Sequence, residues 1–191
     1  MNKSTQQVLA KIAEALNSSG ILWGVGASVL LYQYHIVESP SDIDIIVSLE
    51  DIAKADAVLL QMGRKLPPKD SEIYLTDYFY EYTVDGVNVE LMAGFKIVLP
   101  EGKGIFESPF DEQSVPHHFQ INKTTIPFAT REDWYVLYQL MPGREEKVNK
   151  VADYLEKHSI QYPSLIERMI HNQTLPQNIK LHLKKLLTHE S

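Results

Sequence analysis

The first part of the chain places apolar side chains at helical spacing and then at strand spacing. Apolar positions three and four residues apart predict a helix that opens with the Ser-x-x-Gln capping box at residues 4–7. These positions are Val8, Leu9, Ile12 and Leu16. A short apolar run at residues 21–23 predicts a strand, and the glycine-containing residues 24–28 predict a turn into a second helix.

A second group of patterns predicts further strands around a third helix. Residues 42–47 alternate polar and apolar side chains and then become fully apolar, as expected of a strand that enters the core. A capping box at residues 48–51, followed by apolar positions at helical spacing, predicts the helix. The Asp-Gly pair at residues 85–86 is a strong hairpin signal, and residues 87–91 are the returning strand.

The pattern becomes helical near residue 127. A third capping box at residues 130–133 opens this part, and prolines at positions 142, 163 and 176 divide it. We therefore expect an α/β (α+β) fold, with the core in residues 1–127 and a small helical appendage in residues 128–191.

Composition narrows the range of functions. The chain has 18 basic and 25 acidic residues, a formal net charge of −7, and 44% hydrophobic residues, which is ordinary for a globular protein. The absence of cysteine excludes disulfides, thiolate nucleophiles and Cys-ligated metal sites. The acidic balance argues against broad non-specific binding to nucleic acid, although it leaves open a local basic patch or a polyanion held through metal ions.

Membrane insertion and export are not indicated by the sequence. No apolar run is long enough to span a bilayer, and residues 1–7 lack the apolar stretch of a signal peptide. We therefore expect a cytoplasmic protein with no membrane partner.

Three carboxylates carry the candidate chemistry. Asp42 and Asp44 lie two residues apart in a predicted strand, so both project from the same face, with β-carbons about 6–7 Å apart. Like charges in this arrangement repel unless a cation neutralises them. Glu90 lies on the strand after the hairpin among apolar neighbours, where a carboxylate needs a partner. If the two strands are adjacent, the three side chains converge on one metal cluster.

The turn before the second helix adds a candidate anion site. Gly24, Gly26 and Ser28 place backbone N–H groups and a hydroxyl at a predicted helix N-terminus, which suits a phosphate. Each element alone is common: an Asp-x-Asp pair is usually a loop or a solvated strand face, and a Gly-x-Gly turn is usually a plain reversal. Their order along the chain strengthens the functional interpretation.

With Gly26-Ala27-Ser28 followed by Ser-Asp-Ile-Asp-Ile at residues 41–45, the chain resembles the polymerase-beta-like nucleotidyltransferases. It looks most like the small bacterial members, which include antibiotic adenylyltransferases and the minimal nucleotidyltransferases of toxin–antitoxin pairs. The resemblance covers residues 20–95 well and the helical tail loosely. It implies a mixed sheet flanked by helices. Two positions depart from the family pattern: Ala27 stands where Gly or Ser is usual, and Glu90 stands where Asp is common.

The resemblance also implies an activity, namely transfer of a nucleoside monophosphate from a triphosphate, with ATP favoured, to an acceptor hydroxyl. Asp42, Asp44 and Glu90 would hold Mg²⁺, with Glu90 as a general base if it is not a ligand. Gly26 and Ser28 would bind the β- and γ-phosphates.

The helical tail offers two cations that could reach the triphosphate. Arg144 and Lys147 lie at the start of the helix that follows the Pro-Gly pair at residues 142–143. The alternative for this pair is an exposed helix with i,i+3 charge pairing. The acceptor, which the sequence leaves open, could be a small molecule, a protein or an RNA, and a homodimer is possible in this superfamily.

Two other functions compete with the enzyme. The first is a non-catalytic or regulatory module that keeps the fold, such as the antitoxin half of a toxin–antitoxin pair, which Ala27 and Glu90 favour. The second treats the acidic strand as a calcium or surface site.

Overall fold

The computed structural model describes residues 1–100 and 103–188. Within these residues the helices are α1 (Lys3–Ser18), α2 (Ala27–Gln33), α3 (Ile52–Met62), α4 (Arg131–Leu140), α5 (Glu145–His158), α6 (Pro163–His171) and α7 (Gln177–Thr188). The strands are β1 (Trp23–Val25), β2 (Ile43–Val47), β3 (Arg64–Lys65), β4 (Tyr78–Val84), β5 (Val87–Ala93), β6 (Lys96–Val98), β7 (Ile105–Glu107), β8 (His117–Ile121) and β9 (Thr124–Phe128).

Seven of these strands form one mixed sheet in the order β3-β4-β5-β2-β1-β9-β8. The central strand β2 is parallel to β5 and antiparallel to β1, and β1 is parallel to β9. Strands β6 and β7 form a separate antiparallel pair. The α+β fold with a mixed sheet and flanking helices is therefore confirmed.

The two faces of the central strands differ in chemistry. Ile43, Ile45 and Leu91 are fully buried on one face. Helices α1 and α3 contact β5 and supply the apolar partners of this face. The other face of β2 and β5 carries Asp44 and Glu90, and helices α2 and α4 pack beside it. Because side chains alternate along a strand, the same two strands build the core and present carboxylates.

The structure agrees more closely with the predicted turns than with the predicted helix starts. The hairpin at residues 85–86 is confirmed, since β4 and β5 pair directly around it. Helix α1 begins one residue earlier than the predicted capping box, and its cap is Asn2, whose side chain accepts from the Thr5 amide at 2.8 Å. In the second box, Ser48 and Asp51 hydrogen-bond to each other, and the helix starts only at Ile52.

The helical tail divides where the sequence predicts. The Thr130 hydroxyl caps α4 by accepting from the Asp133 amide, and α6 begins at Pro163. Most of α4 is buried, and one hydrophobic cluster runs continuously from the sheet through α4 to α7. No helix in the described part of the chain is long and apolar enough to cross a membrane.

Candidate active site

The parallel register of β2 and β5 brings the three carboxylates together. Asp44 is paired directly with Glu90, and Asp42 immediately precedes β2 on the same side as Asp44. One carboxylate oxygen from each residue lies within 4.8 Å of the others. The convergence expected from the sequence is therefore present, although Glu90 is 46 residues beyond Asp44 in the chain (90 − 44).

The cluster is electrostatically unfavourable without a cation. Asp44 is only 7% exposed, and its Oδ2 atom is buried without a hydrogen-bond partner. Burial, and then the charges of Asp42 and Glu90, raise the pKa of Asp44 well above its usual value. Burial and the Asp42 charge also raise the pKa of Glu90. An all-oxygen, all-carboxylate donor set with an orphaned buried oxygen fits a hard divalent cation such as Mg²⁺.

Two hydroxyl groups hold Asp42. Ser41 Oγ donates to Asp42 Oδ1 at 2.6 Å, and Ser28 Oγ donates to the same oxygen at 3.2 Å. Ser28 lies in the first turn of α2 and is buried. The predicted serine of the turn is therefore beside the carboxylates, where it orients one of them. Its predicted contact with phosphate stays a prediction.

Gly26 is required by packing and not by its backbone conformation, which is extended. Its N–H donates to the Asp44 carbonyl at 3.0 Å, so the turn is tied to the carboxylate strand. A Cβ atom at this position would lie 2.3 Å from Cζ2 of the Trp134 indole. Because this N–H is already engaged, any phosphate contact would fall to the next amides of α2, and the predicted role of Gly26 in nucleotide binding stays a prediction.

Ala27 adopts a backbone conformation that favours glycine. Its φ angle is +43°, in the left-handed region, where a residue with a Cβ pays roughly 1 kcal/mol or more. This position is where the sequence departs from the usual Gly or Ser of the family turn. The turn therefore stores local strain beside the carboxylates.

Of the two predicted cations of the tail, Lys147 lies near the cluster, and the charge of Arg144 acts on Lys147 and Tyr138. Lys147 is half-buried, and burial followed by the Arg144 charge lowers its pKa, whereas the charges of Asp44 and Asp42 raise it. Lys147 Nζ lies 5.1 Å from the centre of the Tyr138 ring. Arg144 is exposed at the N-cap of α5. Positive charge is thus placed next to the carboxylates, on the side where α4 meets α5.

Sequence reasoning missed the aromatic wall of the site. Trp134 packs on Gly26, and Tyr138 follows one turn later in α4, with the two ring centres 5.3 Å apart. Their i,i+4 spacing on a capped helix could have indicated an aromatic pair beside the site, but the same spacing also occurs in ordinary core helices. Only the packing of α4 over the carboxylate face distinguishes the two cases.

The N-terminal turn of α4 carries two further buried carboxyls, Glu132 and, next to it, Asp133. Its Oδ2 atom lies 3.7 Å from Arg168, whose guanidinium also binds Asp111 at 2.9 Å. Burial outweighs the attraction of Arg168 and raises the pKa of Asp133 to about 7. The folded protein therefore resists ionisation of Asp133.

Replacing Asp133 with asparagine is expected to change the pH dependence of stability. Because the pKa of Asp133 is higher in the folded protein than in the unfolded chain, this residue contributes stability at pH values below its ordinary pKa of 3.8. That contribution is lost as the pH rises toward about 7. The free energy of unfolding of Asp133→Asn should therefore increase relative to the wild type between pH 4 and pH 7, as measured by urea denaturation. The exposed Asp153→Asn change is the control. A difference between wild type and Asp133→Asn that stays constant with pH would contradict the raised pKa.

Three solved structures share this architecture. A Thermotoga maritima protein assigned to the nucleotidyltransferases aligns with a TM-score of 0.57 and 22% identity over 80% of this chain and 92% of its own. The antibiotic-resistance factor ANT(2'')-Ia, in complex with adenylyl-2''-tobramycin, aligns with a TM-score of 0.54 and 13% identity over 86% of this chain and 98% of its own. The lincosamide antibiotic adenylyltransferase LnuA, bound to lincomycin, aligns with a TM-score of 0.52 and 15% identity over 79% of this chain and 98% of its own.

The chain has the fold of these solved nucleotidyltransferases. No family model matches its sequence, and no curated protein matches it either. The fold accounts for the placement of the site, because the Gly26 turn and the carboxylate strand are neighbours at the centre of the sheet. The nucleotidyltransferase fold is therefore recognised through three-dimensional structure and a short local motif.

Proposed function

We propose that the protein is a metal-dependent nucleotidyltransferase that moves a nucleoside monophosphate, AMP from ATP, to the hydroxyl group of an acceptor. The observation that carries the proposal is the convergence of Asp42, Asp44 and Glu90 within 4.8 Å, with a buried unpartnered oxygen on Asp44. Two neighbours in fold are antibiotic adenylyltransferases by description or by their bound adenylyl product, which supports AMP as the transferred group.

The residues of this chain have distinct tasks in such a reaction. Asp42, Asp44 and Glu90 would hold Mg²⁺, which supplies charge neutralisation for the triphosphate and a lower pKa for the acceptor hydroxyl. Ser41 and Ser28 fix the orientation of Asp42. Lys147 and Arg144 supply positive charge for the negative charge that accumulates on the departing pyrophosphate.

The bond changes of the transfer balance without a further reactant. The acceptor oxygen forms a bond to the α-phosphorus, and the bond from that phosphorus to the bridging oxygen of the pyrophosphate breaks. The acceptor proton passes to solvent, or to Glu90 where Glu90 is not itself a ligand of the cation.

Binding and transfer are tested separately on the wild-type protein. Titration calorimetry with ATP should give heat of binding in the presence of Mg²⁺ and none in the presence of EDTA. Incubation with ATP labelled at the α-phosphate should transfer label to an acceptor from panels of hydroxyl-bearing small molecules, proteins or RNA, with release of pyrophosphate. A protein that binds no nucleotide with Mg²⁺ or Mn²⁺ would overturn the proposal.

Lys147→Gln is expected to weaken binding of Mg·ATP about 10- to 150-fold, because a charge-assisted contact to phosphate contributes roughly 1.5–3 kcal/mol. The matched control is Lys150→Gln, which removes an exposed lysine of the same helix that pairs with Glu146 at 2.6 Å. Calorimetry on both variants measures the difference. Equal affinities in the two variants would place the triphosphate away from α5.

A non-catalytic module is the second candidate function. The observation that favours it is the left-handed backbone of Ala27 in the turn beside the carboxylates, at a position where the family pattern has Gly or Ser. Such a protein, for example an antitoxin of a toxin–antitoxin pair, would bind Mg·ATP and transfer nothing. Single-turnover assays with labelled ATP and candidate acceptors distinguish the two functions.

A further inference from the structure

The Arg131 guanidinium lies in an aromatic clamp formed by Tyr34 and Tyr154. Arg131 is only 4% exposed, and its Cζ atom lies 4.2 Å from the centre of the Tyr34 ring and 5.1 Å from the centre of the Tyr154 ring. The two rings also meet edge to face, with centres 5.9 Å apart. A desolvated cation is attracted to the faces of aromatic rings. One arginine at the start of α4 therefore joins Tyr34, which directly follows α2, to Tyr154 of α5.

Polar contacts fix the orientation of this guanidinium. Arg131 Nη2 donates to Gln161 Oε1 at 3.0 Å and lies 3.9 Å from the Glu132 carboxylate. Glu132 is itself buried and accepts from the backbone N–H groups of Gln161 at 2.9 Å and Tyr162 at 3.3 Å. Burial of a guanidinium is unfavourable unless such partners are present, and its planar shape gives them a defined geometry. The clamp therefore determines how α4 meets the ends of α2 and α5.

The two helices that meet at the clamp carry site residues near their other ends. Lys147 lies seven residues before Tyr154 (154 − 147), and Ser28 lies six residues before Tyr34 (34 − 28). Each interval is about two helical turns, or roughly 10 Å. Ser28 Oγ donates to the Asp42 carboxylate. Helices α2 and α5 therefore both direct their N-terminal ends toward the carboxylate cluster and their C-terminal ends toward the clamp.

Helix α4 lies against both of these helices and runs in the opposite direction. Its N-terminal end carries Arg131, and near its C-terminal end the Tyr138 ring centre lies 5.1 Å from Lys147 Nζ. Between these two points, Trp134 packs against Gly26, the N-cap of α2. Because α4 contacts α2 and α5 at both of their ends, the distance between the Gly26 turn and Lys147 depends on the closure of the clamp.

We propose that Arg131 is a positioning residue that fixes the spacing between the Gly26 turn and Lys147, and with it the width of the site in which the triphosphate binds. The inference rests on the proposed function, because it takes these two groups as neighbours of the triphosphate. Asp44 and Glu90 belong to strands of the sheet. Loss of the clamp should therefore impair nucleotide binding and leave binding of a cation to the carboxylates unchanged.

Tyr154→Leu removes one ring of the clamp, and Tyr154→Phe keeps it. We expect Tyr154→Leu to bind Mg·ATP about 10-fold more weakly, which is the lower end of the effect of losing the Lys147 charge, and Tyr154→Phe to bind it like the wild type. His158→Leu is a further control, because His158 is exposed and stacks on Tyr154 with ring centres 4.0 Å apart. Calorimetry measures Mg·ATP binding, and electron paramagnetic resonance measures Mn²⁺ binding without nucleotide, which should be equal in all four proteins.

Coupling to Lys147 separates positioning from a purely structural role. When it is combined with Lys147→Gln, Tyr154→Leu should cause little further loss of Mg·ATP affinity, because the contact that it displaces is already absent. Arg131→Lys tests the clamp from its other side. Lysine keeps the charge but lacks the planar guanidinium that stacks on the rings, so this variant should also weaken Mg·ATP binding while it retains Mn²⁺ affinity.

Three results would overturn this inference and leave the proposed function standing. They are unchanged Mg·ATP affinity in Tyr154→Leu or Arg131→Lys, a loss of Mn²⁺ affinity equal to the loss of Mg·ATP affinity, and a loss in Tyr154→Leu that adds fully to that of Lys147→Gln. A wild-type protein that binds no nucleotide with Mg²⁺ or Mn²⁺ would overturn both the inference and the proposed function.

Discussion

Asp44→Asn should abolish metal-dependent binding of ATP and lower any nucleotidyl transfer at least about 100-fold. Asp44 is the most buried of the three carboxylates and is paired directly with Glu90 across β2 and β5. An amide keeps the shape of the side chain and removes the charge that a divalent cation needs. Calorimetry with Mg·ATP and the labelled-ATP assay measure the two losses.

The same variant should be more stable than the wild type when no divalent cation is present. The folded-state pKa of Asp44 is raised, so its contribution to stability is present below the ordinary value of 3.8 and is lost as pH rises through the folded-state value. At pH 8 in EDTA, Asp44→Asn should therefore melt at a higher temperature. Added Mg²⁺ should stabilise the wild type and narrow the difference.

A second Asp-to-Asn change provides the control for these measurements. Asp85 lies in the hairpin turn, is exposed, and has a φ angle of +48°, a conformation that asparagine adopts readily. Asp85→Asn should leave nucleotide binding unchanged. If Asp44→Asn and Asp85→Asn bind Mg·ATP equally well, the assignment of the site to the carboxylate cluster is wrong.

Gly26→Val should cost about 3 kcal/mol of the free energy of unfolding and lower the melting temperature by about 10 °C. A Cβ atom at this position would lie 2.3–2.5 Å from three atoms of the Trp134 indole, and valine adds two further methyl groups. Because the Gly26 N–H is bonded to the Asp44 carbonyl, a displaced turn also moves the carboxylate strand, and Mg·ATP binding should be lost.

A smaller side chain at position 134 tests whether the clash is the cause. Trp134→Leu alone should destabilise the protein, because it leaves a cavity in the core. Combined with Gly26→Val, it should cost less than the sum of the two single changes, since the valine then has space. Chemical denaturation of all four proteins gives the coupling. Additive free energies would show that Gly26 is required for a reason other than contact with Trp134.

The sequence predicts the site as far as local patterns reach. Asp42 and Asp44 follow from the alternation of a strand, and the hairpin at residues 85–86 places Glu90 on a returning strand. That β5 lies beside β2, in the register that pairs Glu90 with Asp44, is decided by long-range packing of the sheet. The resemblance to a known family supplied the expectation of proximity, which no local pattern contains.

Other features depend on tertiary contacts and could not be predicted in this way. The start of α3 is one of them, because Asp51 accepts from the distant Leu22 amide and from the Ser48 hydroxyl and does not cap the helix. The Asn2 cap of α1, in contrast, is a local choice between neighbouring polar side chains. The roles of Trp134 and Tyr138 depend on how α4 packs on the sheet. Lys147 was predicted from its place after the Pro-Gly pair, but its approach to the carboxylates requires the turn between α4 and α5, where Gly143 has a φ angle of +71°.

The participation of α4 and α5 in the site limits how the protein can be re-engineered. Trp134 and Tyr138 come from α4, and Lys147 comes from α5, so these neighbours of the site belong to the predicted appendage and the three carboxylates to the predicted core. A tail grafted from a relative to accept a new substrate would have to bring its own aromatic pair and lysine at matching depth. Under the proposed function, acceptor specificity and the carboxylate centre would therefore have to be designed together in this chain.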